Sequence, residues 1–299
     1  MDMLRITELY KKFGDKEVLR GLTLSVPEHS IYGFIGPNGA GKTTAMKTVL
    51  GLLRADSGEI TVNGEKVVYG QTHTNRYVGY LPDVPEFYPF MTAKEYMFFC
   101  GEITGICRKE TEARAKELLT LVGLGEEKHR IKGFSRGMKQ RLGIAQALLG
   151  SPKLLICDEP TSALDPAGRK EILDILLAIR NQTTVLFSTH VLSDVERICT
   201  DVAFLKDGAV NIQGKMSDIK TRFRSSEYVI ETENDSDAAI LQNAFSEMKR
   251  ADKNKVTFSE NKHSLSEVLR FVAERHISPV KLERLEPSLE DLFMEVTAK

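Results

Sequence analysis

The stretch "GPNGAGKT", Gly36 to Thr43, constrains this chain more than any other. It satisfies G-x-x-x-x-G-K-[ST], follows directly on the apolar run "IYGFI", and opens the helical stretch "TAMKTVLGLL". A glycine-rich turn between a strand and a helix lets backbone N–H groups face inward around phosphate oxygens, and the helix adds the positive end of its dipole. Gly36, Pro37, Asn38, Gly39, Ala40 and Gly41 form the expected cradle, with Thr44 continuing it into the helix. Lys42 is expected to reach the terminal phosphates, and the Thr43 hydroxyl to ligate Mg2+. The competing reading is a flexible glycine loop with no ligand.

Short apolar or β-branched runs alternate with longer segments of helical periodicity along the first two thirds of the chain, the pattern of an α/β protein with a largely parallel sheet. "SIYGFIG", "KLLICDE" and "TTVLFSTH" are its clearest strands. Residues just past such strands collect at the carboxyl edge of the sheet, where ligands of open α/β folds bind. "EVLRGLTLSVP" and "GEITVNGEKV" alternate between turn glycines and predict an antiparallel β layer beside the main sheet. The 299 residues carry 41 Lys plus Arg against 42 Asp plus Glu, so no overall field attracts nucleic acid. No uncharged apolar run reaches the roughly 18 residues needed to span a bilayer, and the chain alone is expected to be soluble. Cys100, Cys107, Cys157 and Cys199 lack C-x-x-C spacing and fit reduced thiols.

Two further strand ends carry chemistry. In "LLICDEPTSALD" four apolar residues deliver Asp158 and Glu159 into a turn begun by Pro160. Strand alternation is expected to send the two acids in different directions, Asp158 toward magnesium and Glu159 toward a water beyond the terminal phosphate, as general base or water positioner. Either acid alone could instead cap a helix. "VLFSTH" places His190 where a neutral imidazole could bond the terminal phosphate and the attacking water.

These edges together resemble the ATPase subunit of ABC transporters, over about residues 1–215. The resemblance implies a P-loop NTPase domain with an antiparallel β layer and a helical subdomain at about 86–150, binding ATP and Mg2+. "FSRGMKQR" matches the position of that family's signature, which binds the terminal phosphate of ATP held by another subunit. Ser135 would donate its hydroxyl and Gly137 its N–H, with a helix beginning near Met138 pointing its positive end at the phosphate. The commoner form is L-S-G-G-Q; here Phe134, Arg136 and Met138 replace Leu, the first Gly and Gln. Phe13 falls where an aromatic ring stacks on adenine, or is a core residue. Asp165 in "SALD" falls on a loop that crosses the dimer interface. Asp83 in "GYLPD" stands where the family usually carries a Gln that touches magnesium, so it joins Thr43 and Asp158 as a metal candidate.

The partners implied are a second copy or a paralogous ATPase subunit, joined through an ATP sandwich, and a separately encoded permease. Within "EFYPFMTAKEYMFF", Tyr88 and Phe90 are the candidates for the permease contact, with a core role as the alternative. The site of action is then cytoplasmic, peripheral on the inner face of the membrane.

From 220–299 the order strand, helix, strand, helix, strand, helix predicts a small α+β domain of ferredoxin-like character. "LERLEPSLEDLFMEVT" resembles the end of the extension on drug and antibiotic export ATPases of the bacitracin and daunorubicin type, which favours export. The extension serves dimer contact, permease contact or regulation, or is a stabilising appendage. "KTRFR" reads as a solvated face. The rivals are a soluble ABC-type ATPase acting on ribosomes or nucleic acid, and a small-molecule kinase, which would leave the signature and Asp165 without a role.

Overall fold

The computed structural model describes residues 2–71, 73–222, 226–285 and 289–290. The chain divides into two compact units, 1–217 and 218–295, apart from a few terminal residues. In the first unit the order is β1 (Asp2–Phe13), β2 (Lys16–Pro27), β3 (Ile31–Ile35), α1 (Lys42–Val49), β4 (Ser57–Val62), β5 (Glu65–Lys66), β6 (Val78–Leu81), α2 (Ala93–Ile103), α3 (Arg108–Leu121) and α4 (Arg136–Leu148). It continues through β7 (Leu154–Asp158), α5 (Pro166–Ile179), β8 (Thr184–Thr189), α6 (Leu192–Ile198), β9 (Asp201–Lys206) and β10 (Ala209–Lys215), after which α7 (Met216–Arg222) spans the division between the units.

Six strands form the main sheet in the order β10-β9-β3-β8-β7-β6. The five from β9 to β6 are mutually parallel, and β10 closes one edge antiparallel to β9. The central strands β3, β7 and β8 are buried along their whole length. That is the condition in which parallel strands read as continuous apolar runs. A second sheet, β2-β1-β4-β5, is antiparallel. Leu4, Leu22 and Leu24 from this layer join Tyr32 and Phe34 of β3 and Met46 and Val49 of α1 in one core cluster. Each such side chain contributes about 1.5–3 kcal/mol of burial, and together they fix α1 between the two sheets.

Local chemistry sets the helix starts. Thr92 and Glu95 form a reciprocal capping box at α2, and Asp165 caps α5 with Pro166 in its first position. The helix expected near Met138 begins two residues earlier. Ser135 is the cap, its Oγ accepting from Met138 N at 3.2 Å, so Arg136 and Gly137 lie inside α4. Glycines set the seat of α4. A Cβ on Gly79 of β6 would stand 2.2 Å from the Ala147 carbonyl oxygen, and one on Gly143 of α4 would stand 2.5 Å from Leu81 Cδ1. Helix and strand therefore touch nearly backbone to backbone.

The second unit contains β11 (Glu227–Thr232), α8 (Asp235–Ala244), β12 (Lys249–Asp252), β13 (Lys255–Ser259), α9 (Leu265–Glu274) and β14 (Pro279–Arg284). Its sheet is antiparallel, in the order β12-β13-β11-β14. This is the ferredoxin-like βαββαβ arrangement. Strand β12 was absent from the sequence expectation because "KRAD" is charged and unburied at an edge, where hydrogen bonds to β13, not side-chain pattern, define a strand. The core draws Ile230, Val256 and Phe258 from the sheet and Leu241 and Val268 from the helices. The last expected helix, in "SLEDLFMEVT", falls largely outside the described residues.

Gly79→Ala forces β6 and α4 apart, because the atom it meets is backbone. The expected cost is about 1–3 kcal/mol, read as a lower urea midpoint with an unchanged slope; an unchanged midpoint contradicts the close approach.

Candidate active site

At the carboxyl edge of the main sheet the ends of β3, β7 and β8 meet. The loop 36–41 leaves β3 and enters α1 through Gly41 at φ +107°. A side chain there would be strained and would press on Leu19 Cδ2 at 2.8 Å, so the turn requires glycine. Gly36 is equally bound, since a Cβ would lie 2.6 Å from the Leu205 carbonyl oxygen. Lys42 is buried, and its Nζ donates to the carbonyls of Gly36 at 2.6 Å and Pro37 at 3.3 Å.

Asp158 ends β7 opposite Ser188 of β8. Its carboxylate is buried and accepts from two hydroxyls, Thr43 Oγ1 at 2.6 Å and Ser188 Oγ at 2.6 Å. Ser188 Oγ also accepts from Glu159 N at 2.9 Å. One fully buried hydroxyl therefore holds both acids of the pair. Sequence reading missed Ser188. The available signal was a small polar residue ending an otherwise apolar strand, one position before "TH".

Glu159 departs from expectation in its cause. The two acids do diverge, but Glu159 lies beyond β7 with φ +49°, a left-handed conformation that costs a non-glycine residue about 1–2 kcal/mol. The turn, and not strand alternation, separates them. In this conformation Glu159 Oε2 meets His190 Nδ1 at 2.9 Å. Glu159 Oε1 stands 3.1 Å from Lys42 Nζ, a charge contact without hydrogen-bond alignment.

A cavity of about 490 Å3 spans these groups, lined by Pro37, Asn38, Gly39, Gly41, Lys42, Thr43, Thr44, Asp83, Asp158 and Glu159, with Lys16 and Val18 from β2. Lys16 and Val18 were not singled out in the sequence, although both follow shortly after Phe13. Phe13 itself is 50% exposed at the end of β1, with Lys11 Nζ 5.3 Å from its ring centre, which sets aside the core reading. Asp83 reaches the cavity just past β6. Burial, then the nearby Asp158 and Glu159, push its carboxyl above the usual range, opposed by Arg136. Ser135 and Gly137 do not line the cavity; Ser135 is exposed at the start of α4, and a Cβ on Gly137 would meet nothing closer than 3.9 Å.

The oxygen set suits magnesium. Thr43 and Asp158 offer hard donors side by side, and no group of three or more His, Cys, Asp or Glu among the described residues could hold a metal unaided. Magnesium characteristically takes one or two protein oxygens and completes its shell with substrate phosphate and water.

Residues 19–162 match the ABC transporter family model. A Bacillus subtilis protein described as the uncharacterised ABC transporter ATP-binding protein YxlF is 36% identical over 98% of this chain and 99% of its own length. The chain belongs to the ABC transporter ATP-binding family. It binds ATP, and its hydrolysis of ATP is coupled to transport. Residues 214–297 match the C-terminal domain of DrrA1-3-like ATP-binding proteins. The bacitracin transport ATP-binding protein BcrA of Bacillus licheniformis is 39% identical over 74% of this chain and 72% of that protein. A solved structure of an ATP-binding subunit of an ABC transporter superposes with a TM-score of 0.66 and 31% identity, covering 74% of this chain and 93% of that one. These relatives are transport ATP-binding proteins, which sets aside the ribosomal, nucleic-acid and kinase readings. Like other ABC family ATPases, the chain works as a dimer with a membrane permease.

Ser188→Ala leaves Asp158 Oδ1 and Glu159 N without partners in a buried setting, at a cost of about 1–3 kcal/mol. The magnesium concentration needed for half-maximal ATPase activity should rise several-fold, with Ser188→Thr partly restoring it. An unaltered magnesium requirement contradicts the role assigned to Ser188.

Proposed function

We propose that this chain is the ATPase of a drug or antibiotic exporter, acting at the cytoplasmic face of the cell membrane. Two copies, or this chain and a paralogous subunit, close over two ATP molecules and drive a separately encoded permease. The observation that carries the dimer is the separation within one chain: the cavity holding Lys42 and Glu159 lacks Ser135 and Gly137, which stand open at the start of α4. Those groups are suited to the phosphate of an ATP held by the facing copy, where Ser135 donates its hydroxyl and Gly137 its N–H.

Within its own cavity the chain positions the reactants. Phe13 stacks on adenine, and the N–H groups of 36–44 surround the phosphates. Lys42 exchanges the Gly36 and Pro37 carbonyls for phosphate oxygens. Thr43 and Asp158 would hold magnesium, with Asp83 lining the same cavity; when bound, the ion would neutralise charge on the terminal phosphates. Glu159 orients the attacking water and accepts its proton, and His190, bonded to Glu159, fixes the carboxylate toward the phosphate. Export in particular is supported by the DrrA-like C-terminal domain and by the likeness to BcrA. Among the described residues no helix is long and apolar enough to cross a membrane, so the translocation path is assigned to the permease.

Tyr88 and Phe90 are 47% and 58% exposed, and Tyr88 lines a groove with Phe87, Tyr96, Phe99 and Ile103 together with Glu86, Cys100, Thr104 and Gln146. Tyr88 packs on both Phe90 and Phe99, forming an aromatic ledge suited to a short permease helix. A Tyr88→Ala, Phe90→Ala chain should keep ATP binding but lose co-purification with a multispanning membrane protein. ATP should drive a bound drug into inside-out vesicles carrying the intact pair. Co-purification with ribosomes or nucleic acid instead, or transport indifferent to both aromatics, contradicts the assignment.

A further inference from the structure

Asp83, just past β6, and Arg136, in the first turn of α4, meet through their side chains. Arg136 Nη2 donates to Asp83 Oδ1 at 3.2 Å. The fully buried Gln140, one turn further along α4, donates through Nε2 to the Asp83 carbonyl at 2.6 Å. Asp83 is thus gripped twice by the helix that begins at the signature, while it lines the cavity that also holds Asp158 and Glu159.

An additional carboxylate beside a triphosphate repels it unless a positive charge lies near. Asp158 is already held by two hydroxyls, and Glu159 by His190 and Lys42. Arg136 is what faces Asp83. The pair is too exposed to matter for folding, its side chains being 47% and 42% accessible, and exposed pairs add little stability. Its consequence therefore falls on the field inside the cavity.

We propose that Arg136 is a positioning residue for nucleotide binding, acting through Asp83: it compensates the Asp83 carboxylate so that the cavity admits the triphosphate. This rests on the placement of ATP in the cavity of Lys42 and Glu159. It deepens that reading by giving the altered signature a task within its own chain, beside the one toward the facing copy. Asp83 and Arg136 are then energetically coupled: the effect of losing one depends on whether the other is present.

A double-mutant cycle on the full chain tests it, with a fluorescent ATP analogue titrated in EDTA so that the triphosphate keeps its full charge. Arg136→Gln should weaken binding about three- to tenfold, the scale of a nearby charge at a partly exposed site. Arg136→Lys should restore it, because one cation at one oxygen is all the geometry requires. In an Asp83→Asn background Arg136→Gln should have no effect within twofold, and in 0.5 M salt its penalty should shrink. A purely structural loss would respond to neither. The same loss in both backgrounds, or no loss with Asp83 intact, overturns the pairing. A wild-type chain that binds no ATP contradicts the nucleotide site itself, a separate failure.

Discussion

Asp158 is a buried carboxylate, and a carboxylate away from water persists only when its oxygens are satisfied. Thr43 and Ser188 meet that need from the first turn of α1 and the end of β8, so one charge ties the ends of two neighbouring strands to the start of the helix that follows the phosphate loop. The parallel register that sets Asp158 opposite Ser188 is therefore a condition of the chemistry as well as of the fold. Glu159 depends on the same knot: its N–H is held by Ser188, and its left-handed backbone is tolerated because the surrounding bonds leave no other course.

From this knot the site extends in two directions. Inward, the glycine turn seats Lys42 against its own loop and Glu159. Outward, β6 leads to Asp83, and Asp83 leads to α4 through Gln140 and Arg136. The close seat of α4 on β6, made possible by Gly79 and Gly143, keeps this second path short. A residue lining the cavity and the first turns of the signature helix are thereby in direct contact.

Much of this was legible in the sequence because the chemistry is local there. The phosphate loop, the acid pair and the "STH" strand end each sit within a few residues, and buried parallel strands betray themselves as unbroken apolar runs. What escaped depends on partners distant in sequence. Ser188 acquires its role from Asp158, thirty residues earlier; Lys16 and Val18 enter the cavity only because β2 passes beside Gly41. The left-handed Glu159 is invisible to a rule of alternation. Helix α4 begins at Arg136 and not near Met138 because the Ser135 hydroxyl caps it. Strand β12 has no apolar face to announce it.

The account turns on a hydrolytic site shared between two chains, and the mass of a trapped complex tests this most directly. In Glu159→Gln, where ATP is held but not split, sedimentation in magnesium and ATP should give twice the mass of one chain. Adding Gly137→Glu, which sets a carboxylate against the incoming phosphate, should return it to one chain with ATP binding retained. A trapped form that stays single at every nucleotide concentration, or one that pairs equally well with the altered signature, contradicts the shared site.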